Sequence, residues 1–166
     1  VVGGQLLRHQ RGDVGGEAWQ VDLSDTAALA ALSLDVDVVV NNAGIQHVAP
    51  VHEFPPEKFA AILSLMVEAP FLLVRAALPG MYDRGFGRVV NNTTSFLTML
   101  RVLPYGAAKA ALEAMSAVWA SELKDSPVTV NVLEPGGPTD TPLINAASGW
   151  PRDKMLRPEI IGPPIR

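Results

Sequence analysis

The feature that most constrains the fold is a run of valines at residues 36–40, interrupted only by Asp37 and followed at once by Asn-Asn-Ala-Gly. A short, almost continuous apolar run that ends in turn-forming residues is typical of a strand buried on both faces of a parallel sheet. Neighbouring parallel strands need a long crossover between them, which is usually a helix. The run therefore favours an α/β fold if helices separate it from other strands of the same kind.

Three further stretches have this apolar character and end in polar or turn-forming residues. They span residues 18–22, 86–92 and 127–133, and each is predicted to be a strand. Ligands of open parallel sheets bind beyond the carboxyl ends of the strands. The residues that follow the four strands are therefore candidates for a binding site: Asp22, Asn41–Gly44, Asn92–Ser95 and Pro135–Thr141.

Segments with helix signals separate the predicted strands. An Ala- and Leu-rich segment follows Ser24 or Asp25, either of which is suited to cap a helix. Two long helices are predicted at about 56–83 and 105–124, and Pro70 is expected to kink or divide the first of them. This alternation predicts a doubly wound parallel sheet, which is a Rossmann-like α/β fold. We expect one domain over residues 1–145, followed by a Pro-rich tail or a remnant of a substrate lid over 146–166.

Composition excludes several classes of function. The net charge of −4 argues against a nucleic-acid partner, and the absence of cysteine excludes disulfides and thiolate metal sites. No metal site is expected. No apolar run approaches the length of roughly 18 residues that a membrane span requires, so no membrane partner is expected. The first ten residues do not have the pattern of a signal peptide. A cytoplasmic protein that binds a small molecule is the expectation.

Tyr105 and Lys109 are the clearest candidates for catalysis. They stand four residues apart on a predicted helix, so their side chains lie on one face. Tyrosine has a pKa of about 10 and is a poor base at neutral pH, but a neighbouring ammonium group favours the phenolate. Tyrosine and lysine at this spacing are also common on ordinary helices, so the pair alone is weak evidence. Its weight depends on the neighbouring strand ends.

Together these motifs resemble the short-chain dehydrogenase/reductase family. The matching elements occur in the family's order: Val21–Leu23, Asn41–Gly44, the segment 87–95, the Tyr105–Lys109 pair and the Pro-Gly turn at 135–136 with Thr-Pro-Leu at 141–143. The stretch NNAGIQHVAPVHEFP is most similar to bacterial 3-hydroxybutyrate dehydrogenases. The resemblance covers about residues 15–145.

The resemblance implies a hydride transfer between NAD or NADP and a secondary alcohol or ketone. A short hydroxy acid such as 3-hydroxybutyrate is one candidate substrate. Tyr105 would be the general acid/base and Lys109 its activator, which would also bind the nicotinamide ribose. A third residue would hold the substrate oxygen with its hydroxyl. Both Thr94 and Ser95 are candidates, and Ser95 is slightly favoured because an unbranched serine reaches a site more freely. Their separations from Tyr105, eleven and ten residues, are shorter than the family's usual spacing. Cofactor contacts are expected at Asp22, Leu23, Asn42, Ala43, Gly44, Lys109, Pro135, Gly136 and Thr141, and substrate contacts at Gln46 and His47.

Simpler interpretations remain open for several of these residues. Asp22 could bind the adenine amine or only cap the following helix, and Asn-Asn-Ala-Gly is also an ordinary turn at the end of a strand. His47 could contact substrate or be a solvated loop residue.

The sequence also departs from the family. It contains no TGxxxGxG turn, and Met66 stands where the family has an asparagine that supports a proton relay. We therefore expect a member that is incomplete at both ends and lacks the first strand, which is central in the family's sheet. Two functions follow. One is an NAD(P)-dependent oxidoreductase that forms a homo-oligomer through its two long helices; the alternative is a truncated, catalytically silent relative that acts only through the same helix-pair surface.

Overall fold

The centre of the fold is a three-stranded parallel sheet. The computed structural model of the protein describes residues 21–99, 103–144 and 151–161. Strands β1 (Val38–Asn41), β2 (Gly87–Asn92) and β3 (Val128–Leu133) lie in the order β1-β2-β3. Asn41 of β1 pairs with Asn91 of β2. The predicted parallel α/β sheet is confirmed, whereas the strand predicted at 18–22 falls largely outside the described residues.

A nearly continuous helical segment connects β1 to β2. Helix α2 (Pro56–Leu63) leads into a π-helical turn (Ser64–Glu68) and then into α3 (Ala69–Arg84). Pro70 explains the irregular turn, because proline has no N–H and its ring clashes with the carbonyl four residues earlier, that of Met66. The prediction that Pro70 would disturb this helix is therefore confirmed, and the disturbance lies just before the proline.

The other described helices are α1 (Thr26–Ala30), α4 (Phe96–Met99) and α5 (Tyr105–Glu122). The Asp25 side chain caps α1 by accepting a hydrogen bond from the Ala28 N–H at 3.0 Å. Helix α5 follows Pro104 and crosses from β2 to β3, as the sequence predicts. Three short 3-10 turns complete the secondary structure of the described residues: Val51–Glu53, Arg152–Lys154 and Pro158–Ile161.

The core lies between the sheet and the helices on one of its faces. Val39, Val89 and Val128 point into it, together with apolar side chains from α1, α2, α3 and α5. On the opposite face of β1, Val38 and Val40 are 46% and 40% exposed. The expectation that this strand is buried on both faces is therefore wrong for the described part of the chain, because its helices pack on one face.

The long helical segment Pro56–Arg84 has 29 residues, and its most apolar window has a mean hydropathy of 1.9. By length and composition it could cross a membrane, so the expectation that no apolar run approaches that length is wrong. Half of that window is nevertheless buried inside the fold. Leu65, Met66, Leu73 and Ala77 pack in the core. The apolar character of the segment is accounted for by its place against the sheet.

Candidate active site

Lys109 is the most deeply buried charged side chain of the site. It lies in the second turn of α5 and is 3% exposed. Its Nζ donates a hydrogen bond to the backbone carbonyl of Asn92, at the end of β2, over 2.5 Å. Burial lowers the pKa of Lys109 from its ordinary value to about 8, because the charged form is poorly solvated.

Tyr105 is the first residue of α5 and is partly buried. The Lys109 Nζ lies 5.6 Å from the centre of its ring, so the structure brings the pair together. Burial raises the pKa of Tyr105 above its usual value. This differs from the expectation that the ammonium would favour the phenolate, because desolvation of the phenolate is the dominant effect. Tyr105 is a protonated group at neutral pH and is suited to donate a proton.

The two candidate hydroxyls follow β2 and have different surroundings. The Ser95 Oγ lies 3.1 Å from the Thr98 Oγ1 and accepts a hydrogen bond from the Thr98 N–H at 3.4 Å. Ser95 therefore caps the short helix α4. Thr94 is partly buried, and within the described residues its hydroxyl makes no hydrogen bond. These contacts leave Thr94 as the freer of the two hydroxyls.

The segment after β2 packs closely on the beginning of α5. A Cβ placed on Gly106 would lie only 1.9 Å from the Met99 carbonyl oxygen. Glycine is therefore required beside Tyr105, since any side chain would collide with the backbone of α4. This contact holds the short connection between β2 and α5 against the helix that bears Tyr105 and Lys109.

Asparagines join the ends of β1 and β2. The Asn92 Nδ2 donates to the Asn42 Oδ1 at 2.6 Å, so the Asn-Asn-Ala-Gly turn meets the strand end that binds Lys109. Ala43 is exposed and Gly44 is partly buried. A Cβ on Gly44 would meet the Met66 thioether at 3.7–3.8 Å, which is ordinary contact. Met66 is 1% exposed and lies in the π-helical turn, so the position at which the resemblance predicts a relay asparagine holds a buried apolar side chain.

Three buried polar atoms at the carboxyl edge of the sheet have no hydrogen-bond partner among the described residues: the Asn92 Oδ1, the Thr93 Oγ1 and the Thr139 Oγ1. The Thr93 N–H bonds the Leu133 carbonyl at 2.9 Å, which places the end of β2 beside the end of β3. Buried polar atoms cost free energy unless they are paired, so this edge has unused capacity for a polar ligand. The two hydroxyls can each donate and accept a hydrogen bond, and the amide oxygen can accept one.

The loop after β3 is folded against the C-terminal segment of the described chain. Gly136 adopts a left-handed conformation with φ of 83°, where glycine is favoured, and Pro135 is partly buried beside it. The Thr141 Oγ1 donates to the Thr139 carbonyl at 3.4 Å. Asp140 pairs with Arg152. The loop is thus held close to the strand ends at which a cofactor contact is expected.

The remaining candidate residues have more ordinary roles in the structure. Asp22 accepts hydrogen bonds from the Ser24 Oγ and N–H at 2.6 and 2.9 Å, which lower its pKa. Leu23 is 2% exposed and its side chain packs in the core, so a cofactor contact there would have to come from its backbone. His47 packs edge-on against Phe54, with ring centres 5.3 Å apart. Gln46 and His47 are partly buried, and no hydrogen bond within the described residues joins them to Tyr105 or Lys109.

No cluster of three potential metal ligands occurs in the described part of the chain.

The arrangement matches a known family. The family model for short chain dehydrogenase matches residues 5–151. This chain belongs to the short-chain dehydrogenase family. The same assignment explains why the Tyr105–Lys109 helix lies beside the Asn-Asn-Ala-Gly turn and the strand end at Asn92.

Relatives and solved structures of this short-chain dehydrogenase agree with the assignment. A D-beta-hydroxybutyrate dehydrogenase from Cupriavidus necator is 39% identical over 110 residues, which cover 65% of this chain and 42% of that protein. A solved short chain dehydrogenase/reductase family protein is 38% identical with a TM-score of 0.72, covering 89% of this chain and 66% of its own. A structure described as an NAD(P)-dependent gluconate 5-dehydrogenase from Beutenbergia cavernae, with bound NADP, is 30% identical with a TM-score of 0.76, covering 92% and 70%. The chain spans less than half the length of the first curated relative.

Sequence reasoning missed several residues that shape this site. The sequence places Asn41 in a candidate binding turn and Asn91 at a strand end, without indicating that they contact each other. Ser116 is not singled out by the sequence, although it follows Lys109 by seven residues on the same helix. Two asparagines in succession at the end of a valine strand were a usable signal, because buried amides need partners. Gly106 gave no comparable signal, since its role depends on the path of α4.

Proposed function

We propose that the protein is an NAD(P)-dependent oxidoreductase of the short-chain dehydrogenase type, which reduces a ketone to a secondary alcohol and can catalyse the reverse reaction. The observation that supports this most strongly is the hydrogen bond from Lys109 to the Asn92 carbonyl. It places the ammonium group beside Tyr105 and beside the strand end with unpaired polar atoms. Membership of the family and the NADP-bound structural neighbour support NAD or NADP as the cofactor.

The residues divide the chemistry among them. When bound, NAD(P)H supplies the hydride that reduces the carbonyl carbon. Tyr105 donates its phenolic proton to the carbonyl oxygen, which becomes the hydroxyl of the alcohol. The Lys109 ammonium group stabilises the phenolate that remains, and a proton from solvent then restores the phenol. The hydroxyl of Thr94, which is freer than that of Ser95, binds the substrate oxygen in this scheme.

Cofactor contacts are proposed at three strand ends. Lys109 would bind the nicotinamide ribose, and Asn42, Ala43 and Gly44 would lie along the adenosine side. Pro135, Gly136 and Thr141 would lie on the nicotinamide side, where the Thr139 hydroxyl also has no hydrogen-bond partner in the part of the chain that the structure describes. Asp22 remains a candidate for the adenine amine, although its carboxylate is engaged by Ser24.

We propose a short hydroxy or keto acid as the substrate class. The Cupriavidus relative acts on D-beta-hydroxybutyrate, and the Beutenbergia neighbour is described as acting on gluconate; both are small hydroxy acids. Gln46 and His47 follow β1 and are partly buried, and each offers a hydrogen-bond donor to a carboxylate.

Assembly and location are also proposals. Phe59, Phe71 and Val118 lie on α2, α3 and α5 and are 41%, 45% and 54% exposed. Such apolar side chains on the two long helices suit an interface between two copies of the chain. We propose a cytoplasmic homo-oligomer that buries them. Light scattering of the protein should show a dimer or larger, and a single monomer mass would contradict this assembly.

The experiment is an assay of NADH and NADPH oxidation with short 3-oxo acids and keto sugar acids. Wild-type protein should oxidise the nucleotide with at least one of these substrates, and Tyr105→Phe should not. A wild-type protein inactive with every substrate, yet folded, would support the catalytically silent alternative instead.

A further inference from the structure

Three buried polar side chains form a continuous hydrogen-bonded network across the core. The Asn41 Nδ2 on β1 donates to the Asn91 Oδ1 on β2 at 2.8 Å. The Asn91 Nδ2 then donates to the Ser116 Oγ on α5 at 2.7 Å, and Ser116 donates to the Leu112 carbonyl at 2.6 Å. The three residues are 7%, 0% and 4% exposed. We call them the Asn41–Asn91–Ser116 network.

The network is directional, unlike the apolar contacts around it. Every bond in it has one defined donor and one defined acceptor, so its geometry is satisfied in one arrangement of β2 and α5. The neighbouring contacts of Ala108 and Leu112 are apolar and would tolerate a small rotation of the helix. Rotation of α5 would break the Asn91–Ser116 bond and leave a fully buried amide unpaired, which is unfavourable.

Ser116 shares a helix face with the catalytic pair. It follows Lys109 by seven residues and Tyr105 by eleven, which correspond to about two and three turns at 3.6 residues per turn. Its partner Asn91 directly precedes Asn92, the residue whose carbonyl accepts the Lys109 hydrogen bond. Two successive residues of β2 therefore bind α5 at two points on one face.

We propose that Asn91 and Ser116, supported by Asn41, are positioning residues that set the rotation of α5 and thereby hold Lys109 on the Asn92 carbonyl. The network touches neither substrate nor cofactor; it acts through the orientation of the helix. This inference rests on the proposed function for its catalytic consequence, whereas the orientation itself can be measured without any cofactor.

The test follows the titration of Lys109 by its 13Cε chemical shift in the full chain. Ser116→Ala should raise the titration midpoint of Lys109 by at least about half a pKa unit toward the ordinary value, because a rotated helix exposes the ammonium to water. Ser116→Thr keeps the hydroxyl and should restore the wild-type midpoint. Ser126→Ala is the matched control, since the Ser126 Oγ also donates to a backbone carbonyl, that of Leu123 directly after α5, at 2.7 Å, but lies beyond the end of the helix.

An unchanged Lys109 midpoint in folded Ser116→Ala would overturn the proposal, as would an equal change in Ser126→Ala. If Ser116→Ala does not fold, Ser116→Cys gives the same comparison, because the thiol is nearly isosteric and only weakly hydrogen-bonding. The result is independent of the proposed reaction. A shifted midpoint in a protein that binds no nicotinamide nucleotide would support the positioning role and contradict the enzymatic one.

Discussion

Lys109 binds the backbone carbonyl of Asn92, with the ammonium nitrogen 2.5 Å from the oxygen. The bond joins the helix that bears Tyr105 to the middle strand of the sheet, inside a region where the lysine is 3% exposed. An ammonium group has three donors, so two remain for other partners at the strand ends. The same hydrogen bond therefore holds α5 on the sheet and fixes the position of the ammonium group beside Tyr105.

The burial of Lys109 predicts a pH-dependent stability. Because its pKa is about 8 in the folded protein and lies at its higher ordinary value in the unfolded chain, the unfolded state binds more protons above pH 8. The free energy of unfolding should therefore rise from about pH 8 to about pH 10. Tyr105 does not change the free energy of unfolding over this range, because it stays protonated in the folded protein. Its raised pKa would lower the free energy of unfolding only at higher pH.

Urea unfolding of wild type and Lys109→Met at pH 7.5 and about 9.5 checks this prediction. The wild type should gain stability relative to the variant as the pH rises, because the variant has no buried ammonium. Equal changes in the two proteins would show that Lys109 is not desolvated in the folded state.

Tyr105→Phe should abolish turnover and leave the free energy of unfolding within about 1 kcal/mol of wild type, because the hydroxyl makes no structural hydrogen bond in the described chain. The loss of a general acid is expected to cost at least about 100-fold in rate. Tyr82→Phe is a matched control, since Tyr82 lies on α3 and is 46% exposed. Retained turnover in Tyr105→Phe would remove Tyr105 from its catalytic role.

Gly106→Ala should destabilise the protein by about 1–3 kcal/mol, because the new methyl group collides with the Met99 carbonyl. Gly80→Ala is the comparison in α3, where the methyl group meets the flexible end of Arg84 at 2.9 Å. There the gain in helix propensity, about 1 kcal/mol, offsets the displacement of the side chain. Thermal unfolding of both variants should rank Gly106→Ala well below Gly80→Ala, and similar melting temperatures would contradict the close packing of α4 on α5.

Gly44→Ala separates fold from cofactor binding. The added methyl group would make ordinary contact with Met66, at 3.7–3.8 Å, so the melting temperature should change little. If the adenosine side of the cofactor passes over Gly44, the same methyl group should weaken NAD(P)H binding by about tenfold or more. Unchanged affinity in the folded variant would move the cofactor away from this turn.

Much of the architecture was predictable from local sequence. Valine-rich segments occur at β1, β2 and β3, and long apolar helical segments lie between them. This alternation predicts a parallel α/β sheet, because parallel strands need helical crossovers that cover the sheet. The proximity of Tyr105 and Lys109 was also predictable from local sequence, because their spacing of four residues places both on one face of a strongly helical segment.

Features that depend on long-range packing were not predictable. The pKa of Tyr105 is raised because its side chain is partly buried. The sequence shows that Lys109 is nearby, but it does not show how deeply Tyr105 is buried. The packing of the Leu23 side chain in the core depends on long-range contacts in the same way. The Asn41–Asn91–Ser116 network joins residues 50 and 25 positions apart, so it exists only once β1, β2 and α5 are in register.

The central claim is that these strand ends form a nicotinamide nucleotide site, and a titration tests it most directly. NADH and NADPH fluorescence should change saturably on addition of the full chain, with a Kd below about 1 mM for at least one of them, and Lys109→Met should weaken that binding. No saturable binding by folded wild-type protein at concentrations up to about 1 mM would contradict the claim.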